Sequence, residues 1–217
     1  FALEHARWAD EWARAPLVER YALAVDDLQV EGNSATARLT VAWDTVSGDQ
    51  AMTAEFPVRF ARGAEGAWRY AGELWNDQPA EHFLIRAQPG LDEAAARVRA
   101  VLPDVYAHVT RSLDYTPVGT LQIKLYASVE ALVANTLLSL PPVHGWNEPG
   151  ESLKLYAGPG GTPEGAVAHE FTHFLEFEMA GTARSRLPWC PSGGRPVHAA
   201  KAFPPTPNKP PPPPLRP

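Results

Sequence analysis

The spacing between apolar residues changes near position 80 of this 217-residue chain, and that change limits the folds open to it. Before position 80, apolar side chains recur at every second residue over 37–43 and again over 52–60. This period is typical of strands that cover a core with one face. Turn residues such as Gly48-Asp49 separate the runs. The pattern predicts an antiparallel sheet that ends in a strand at 68–71.

Apolar residues at helical spacing precede these strands: Leu3, Ala6, Trp8, Ala9, Trp12 and Ala13. We expect a helix there that ends before Pro16, because a proline inside a helix removes a hydrogen bond. A helix followed by an antiparallel meander with a final Trp68-Arg69-Tyr70 strand is similar to the cone-shaped nuclear-transport-factor-2-like and SnoaL-like domains. The resemblance implies a small α+β domain over 1–78 with a ligand pocket or a docking surface.

After position 80, the pattern of apolar residues predicts both strands and helices. The expected strands lie at 83–85, Leu121–Tyr126 and 153–156. The expected helices run from 92 to about 113, from the capping residue Ser128 through Asn135, and from 163 to about 179. The first of them is either one long helix or a helix interrupted at Pro103. The Pro/Gly-rich stretch 141–150 is expected to be a loop. Alternating strands and helices predict a layered sheet covered by helices, and the fold class is therefore α+β.

Composition excludes several classes of protein. A formal net charge of −6 argues against a nucleic-acid partner, which requires a basic surface. No stretch reaches the ~18 apolar residues that a membrane span requires. The single cysteine, Cys190, cannot form an internal disulfide or a cysteine-rich zinc module. The chain begins at Phe1 without a visible targeting signal, so a fragment or a processed chain is the simplest interpretation, and localisation and oligomeric state stay unknown.

The end of the chain has a different composition from the rest. No Asp or Glu occurs from Met179 to Pro217, and 12 of the 23 prolines lie between Pro188 and Pro217. A segment with so few backbone donors and few large apolar residues cannot hold a helix or a central strand. We therefore expect a disordered, partly polyproline tail over 189–217.

The pentad His169-Glu170-Phe171-Thr172-His173 lies within the last expected helix. Its two histidines are four residues apart, about one helical turn, so both imidazoles project from one face. Zinc suits two imidazoles and a carboxylate, and it lowers the pKa of a bound water to ~7. The pentad predicts a Zn²⁺ site with His169 and His173 as ligands and Glu170 as the general base. The alternative interpretation is two core histidines beside a solvated glutamate.

The stretch 82–188 resembles the gluzincin metallopeptidases, in particular the bacterial peptidase MA-like domains. The matching segments are Phe83-Leu84-Ile85-Arg86, Leu121 through Ser128, Leu153-Lys154-Leu155-Tyr156, and Ala168 through His173. The resemblance implies a thermolysin-like lobe, peptide or protein substrates, and an exported or membrane-tethered bacterial location. It also implies that the strand Leu153, Lys154, Leu155 and Tyr156 borders the cleft and pairs with the substrate backbone.

The chain departs from this family at the third metal ligand. A catalytic zinc ion normally has three protein ligands, and the resemblance implies that the third is a glutamate about twenty residues after the motif. No acidic residue follows Glu178. Glu176 and Glu178 are too near the motif in sequence, and His198 lies in the expected tail. We therefore expect a domain that is truncated before its third ligand.

A change of reading frame near Cys190 would explain this departure. If Ser192 uses an AGY codon, the codons for Trp189 to Pro196, read one nucleotide later, can encode Gly-(Val or Ala)-Leu-Ala-Glu-Gly, which supplies the glutamate. The competing explanation is a genuine tail. The leading hypothesis is a zinc metallopeptidase that is an incomplete or inactive copy as given. The alternative is a non-catalytic binding module that uses the N-terminal α+β domain, with the peptidase lobe as a scaffold.

Overall fold

The structure is a computed structural model that describes residues 18–45, 51–136, 138, 142–148 and 150–180. Within these residues the chain is α+β, with one antiparallel sheet, one mixed sheet and three helices. The fold class predicted from the sequence is confirmed at this level. The predicted N-terminal helix and the predicted tail over 189–217 lie outside the described residues.

The first sheet, which we call the meander sheet, contains β1 (Val18–Glu31), β2 (Ser34–Thr45), β3 (Ala51–Arg62) and β4 (Trp68–Glu73). Its strands are neighbours in chain order, and every pair is antiparallel. The strands predicted at 37–43, 52–60 and 68–71 are therefore confirmed as parts of β2, β3 and β4. The alternation works because one face of β2 and β3 is buried while the other faces solvent.

Strand β1 was not predicted from the sequence. Its register with β2 shifts between Asp26 and Gln29, and Asp27 between them has a φ of 52°. This irregularity shifts the apolar positions by one residue, so the sequence of β1 does not show one continuous alternation of apolar and polar residues. The apolar side chains Leu23, Val25, Leu28 and Val30 along β1 are exposed.

The second sheet, which we call the mixed sheet, has the strand order β5-β6-β7-β9-β8. The strands are β5 (Asn76–Pro79), β6 (Phe83–Ala87), β7 (Leu121–Tyr126), β8 (Gly145–Glu148) and β9 (Ser152–Tyr156). β6, β7 and β9 are parallel, and the outer strands β5 and β8 are antiparallel to their neighbours. Strands β5 and β8 were not predicted, and β8 lies inside the expected loop.

The three helices are α1 (Asp92–Leu113), α2 (Val129–Ala134) and α3 (Pro163–Ala180). Each corresponds to a helix predicted from the sequence. Pro103 lies inside α1 without ending it. The Ser128 hydroxyl accepts a hydrogen bond of 3.0 Å from the Ala131 backbone N–H, which confirms the predicted cap of α2. None of these described helices is both long and apolar enough to cross a membrane.

The two faces of the mixed sheet have different partners. Apolar side chains of β6, β7 and β9 pack against α1 and α3 in one core. Tyr126 of β7 joins a second core, which α2 forms with β2 and β3 of the meander sheet. The Trp43 indole N–H donates a buried hydrogen bond of 3.0 Å to the Leu138 carbonyl across this second core. The meander sheet therefore packs behind the mixed sheet, on the side away from α3.

Candidate active site

Helix α3 carries the His-Glu-Phe-Thr-His pentad in the middle of its length. The ring centroids of His169 and His173 are 4.8 Å apart, and the ring planes are nearly perpendicular at 84°. Two imidazoles that each hold one cation at about 2 Å in a tetrahedral arrangement have centroids about 5 Å apart. The observed spacing fits two ligands of a single ion.

The Glu170 carboxyl, between these histidines in sequence, is buried. The residue is only 7% exposed. Burial raises the pKa of the Glu170 carboxyl to about 7, because the charged form loses its hydration. A general base is most effective when its pKa is close to the working pH. In the metal-free chain this carboxyl is therefore partly protonated at neutral pH.

The two imidazoles have distinct surroundings. Burial, together with the nearby His173, lowers the pKa of His169, so that its neutral form dominates at pH 7. The neutral ring is the form that binds a metal ion. Nδ1 of His173 lies 3.4 Å from a carboxylate oxygen of Glu176. A contact of this kind fixes the ring orientation and leaves Nε2 free to act as a ligand.

The described residues contain no group of three His, Cys, Asp or Glu side chains that could hold a metal ion. Glu176 contacts Nδ1 of His173, so it is a partner of that imidazole and not a third metal ligand. The Tyr115 hydroxyl donates a hydrogen bond to the Glu178 carboxylate, and desolvation together with the Glu178 charge raises the pKa of Tyr115. His198 and the segment around Cys190 lie outside the described residues. The donor set in the described part of the chain is thus one ligand short of a catalytic zinc site.

Aromatic packing holds the pentad in place. Phe171 is fully buried; its ring stacks on Tyr106 of α1 with centroids 5.8 Å apart and meets the edge of Phe83 of β6 at 5.5 Å. Nε of Arg97 lies 3.4 Å from a carboxylate oxygen of Glu164, which ties the first turn of α3 to α1. These contacts direct the apolar face of α3 into the core and leave the histidines half-buried on another face.

Strand β9 does not have the free edge that was predicted for it. It pairs with β7 on one side and with β8 on the other, so its backbone hydrogen bonds are already used within the sheet. Leu153, Lys154 and Leu155 are fully buried, and the half-buried Tyr156 donates a hydrogen bond of 2.6 Å to the Pro159 carbonyl. These four residues therefore have no unpaired strand edge for the substrate pairing that the resemblance implied. Among the described strands, the outer edge on this side of the sheet belongs to β8.

Lys154 belongs to a buried group of charges instead. Its ammonium donates a hydrogen bond of 2.6 Å to the Asn135 carbonyl at the end of α2. It also lies 3.9 Å from Glu148 and 3.8 Å from Glu151, and Lys124 pairs with Glu151. We call these four charged residues the buried charge cluster. It connects β7, β9, the end of β8 and the β8–β9 turn on the side of the sheet away from α3.

Sequence reasoning missed β8 and the buried charge cluster. No apolar alternation identifies the four residues of β8, because Gly145 and Asn147 occupy one face of a strand surrounded by prolines and glycines. Lys124 and Lys154, each between apolar residues of a strand, were the available signals for buried charges. Comparison with known proteins gave no match to a family model, to a curated protein or to a solved structure.

Proposed function

We propose that this chain is a zinc-dependent metallopeptidase domain of the gluzincin, peptidase MA-like type, with a thermolysin-like lobe over 82–188. The observation that carries the proposal is the pair of imidazoles, 4.8 Å apart, on the helix that bears a buried carboxyl with a pKa of about 7. A core histidine pair beside a solvated glutamate would not have this arrangement, because Glu170 is buried.

His169 and His173 would hold the ion. Zinc, when bound, polarises a carbonyl oxygen and supplies a water with a pKa of ~7. The Glu170 carboxylate accepts the proton of the water that attacks the peptide carbonyl carbon, and then donates it to the nitrogen of the amine that leaves.

The substrate class is an extended peptide or protein segment. Nothing within the described residues pairs with the outer edge of β8, and this edge strand contacts α3. An extended peptide can add to such an edge through backbone hydrogen bonds. In the proposal this role moves from β9 to β8, because β9 has no unpaired edge.

Metal content tests the proposal directly. We expect the purified chain to bind about one zinc ion per chain, and His169→Ala to abolish this binding. His108→Ala is the matched control, since His108 lies on α1 and its side chain is next to Ser112. With two ligands in the described residues, we expect weak hydrolysis of a fluorogenic peptide and none in Glu170→Gln.

The possible outcomes of these experiments have different consequences. A chain that binds no zinc at micromolar concentration would overturn the metallopeptidase proposal. If the zinc-free chain were also stabilised by a ligand that binds the residues before position 78, the non-catalytic binding module would be favoured instead. Zinc binding that survives Glu170→Gln while hydrolysis is lost would support the assignment of Glu170 as the general base.

A further inference from the structure

Gly145, the first residue of β8, lies directly against the Glu170 side chain. A Cβ atom added to Gly145 would be 2.5 Å from Oε1 of Glu170, 3.0 Å from Cδ and 3.2 Å from Cγ. The shortest of these distances is well inside van der Waals contact, so the two groups could not both keep their positions. Any side chain at position 145 therefore displaces the Glu170 carboxylate or the strand.

The backbone does not explain the glycine at this position. Gly145 lies in a regular strand, paired with Leu155 of β9, and its φ is outside the left-handed region that favours glycine. Gly150 in the β8–β9 turn, by contrast, has a φ of 77°. The requirement at Gly145 is therefore one of space rather than of conformation.

The Glu170 carboxylate is also restricted by the helix that carries it. Glu170 leaves a helix whose next residue, Phe171, is locked in the aromatic core, and the glutamate is 7% exposed. Its last three side-chain atoms run along Gly145. Because the end of a glutamate side chain moves more easily than a paired strand, an added methyl group would push the carboxylate away and leave β8 in place.

We propose that Gly145 is a positioning residue, which forms a slot on the edge strand that holds the Glu170 carboxylate beside the imidazole pair. The catalytic meaning of this slot rests on the proposed function, whereas the contact itself does not. Strand β8 then has two roles: its outer edge receives the peptide, and its first residue sets the location of the base. Placement of a base within about 1 Å can change a rate by about 100-fold.

The variant Gly145→Ala tests the inference in the zinc-loaded full chain. We expect kcat for peptide hydrolysis to fall about 100-fold, while zinc affinity stays within about twofold because neither histidine is touched. Gly165→Ala is the matched control, since an added Cβ there meets only the Thr162 hydroxyl at 3.9 Å. We expect this control to keep the wild-type kcat and zinc affinity.

A second measurement does not depend on turnover. Gly145→Ala should lower the thermal midpoint of the metal-free wild-type chain, and should not lower it in the Glu170→Ala background, where the colliding carboxyl is gone. An equal loss in both backgrounds would overturn the inference. So would a wild-type kcat in the zinc-loaded Gly145→Ala chain.

These results separate the inference from the proposed function. If the wild-type chain binds no zinc and hydrolyses no peptide, the proposed function fails, and the thermal coupling alone then decides whether the slot exists. If the wild-type chain binds zinc and is active but Gly145→Ala behaves like Gly165→Ala, the slot is wrong and the proposed function stands.

Discussion

The buried Glu170 carboxyl makes the stability of the metal-free chain depend on pH, and Glu170→Gln removes that dependence. The carboxyl is 7% exposed, and burial raises its pKa from 4.5 to about 7. A buried carboxyl favours its neutral form, since ionisation in a poorly hydrated site is costly. Glutamine has nearly the same shape as the neutral acid and does not ionise.

The size of the effect follows from the change in pKa. Each pH unit between 4.5 and about 7 corresponds to about 1.4 kcal/mol, which gives about 3 kcal/mol in total. Because folding raises this pKa, the folded chain holds the proton more tightly than the unfolded chain. The favourable contribution is therefore complete below about pH 4.5, and it is lost as pH rises through about 7.

Urea unfolding with a chelator present, at pH 4.5 and pH 8, measures the difference. We expect the free energy of unfolding of the wild-type chain to fall by about 3 kcal/mol more than that of Glu170→Gln over this range. Glu55→Gln, which neutralises an exposed carboxylate on β3, should follow the wild-type curve. Parallel curves for the wild-type chain and Glu170→Gln would refute the argument that burial controls Glu170.

Three further predictions concern the surroundings of the site. Lys154→Met removes the buried cation next to Glu148 and Glu151, and should lower the free energy of unfolding in urea by about 3–5 kcal/mol. A loss below about 1 kcal/mol would contradict the pairing of Lys154 with these glutamates. Phe171→Ala removes a fully buried aromatic ring and should cost about 3–5 kcal/mol in the same assay. An unchanged unfolding midpoint would show that this ring does not hold α3 in place. Glu176→Ala removes the partner of His173 and should weaken zinc binding about 10-fold or more in competition with a chelating dye; equal affinity would exclude a role in orienting the ring.

The elements with strong periodicity could be predicted from the sequence. The alternating runs of β2 and β3 and the helical pattern of α1 agree with the structure, because each element buries one continuous face. Helix α3, predicted from 163 to about 179, is observed at Pro163–Ala180. β1 was missed since its register shift interrupts the alternation. β8 was missed since four residues between glycines and prolines have no measurable period.

The motif predicted the site only in part. Spacing alone placed His169 and His173 on one face of α3, and the ring separation agrees with that prediction. Spacing could not show that Glu170 is buried or that its side chain lies against Gly145, which is 25 positions earlier in the chain. The family resemblance, in turn, implied that β9 borders the cleft, and the sequence does not reveal that β8 pairs along the outside of that strand.

The position of β8 is set from both faces of the mixed sheet. On one face, Gly145 meets Glu170 of α3. On the other, Glu148 at the end of the same strand lies near Lys154, whose ammonium is bonded to the last turn of α2. Because α2 packs on β2 and β3, the meander sheet supports the strand that holds the Glu170 carboxylate. Strands β2 and β3 of the meander sheet thus contribute to the geometry of the candidate site through α2 and Lys154.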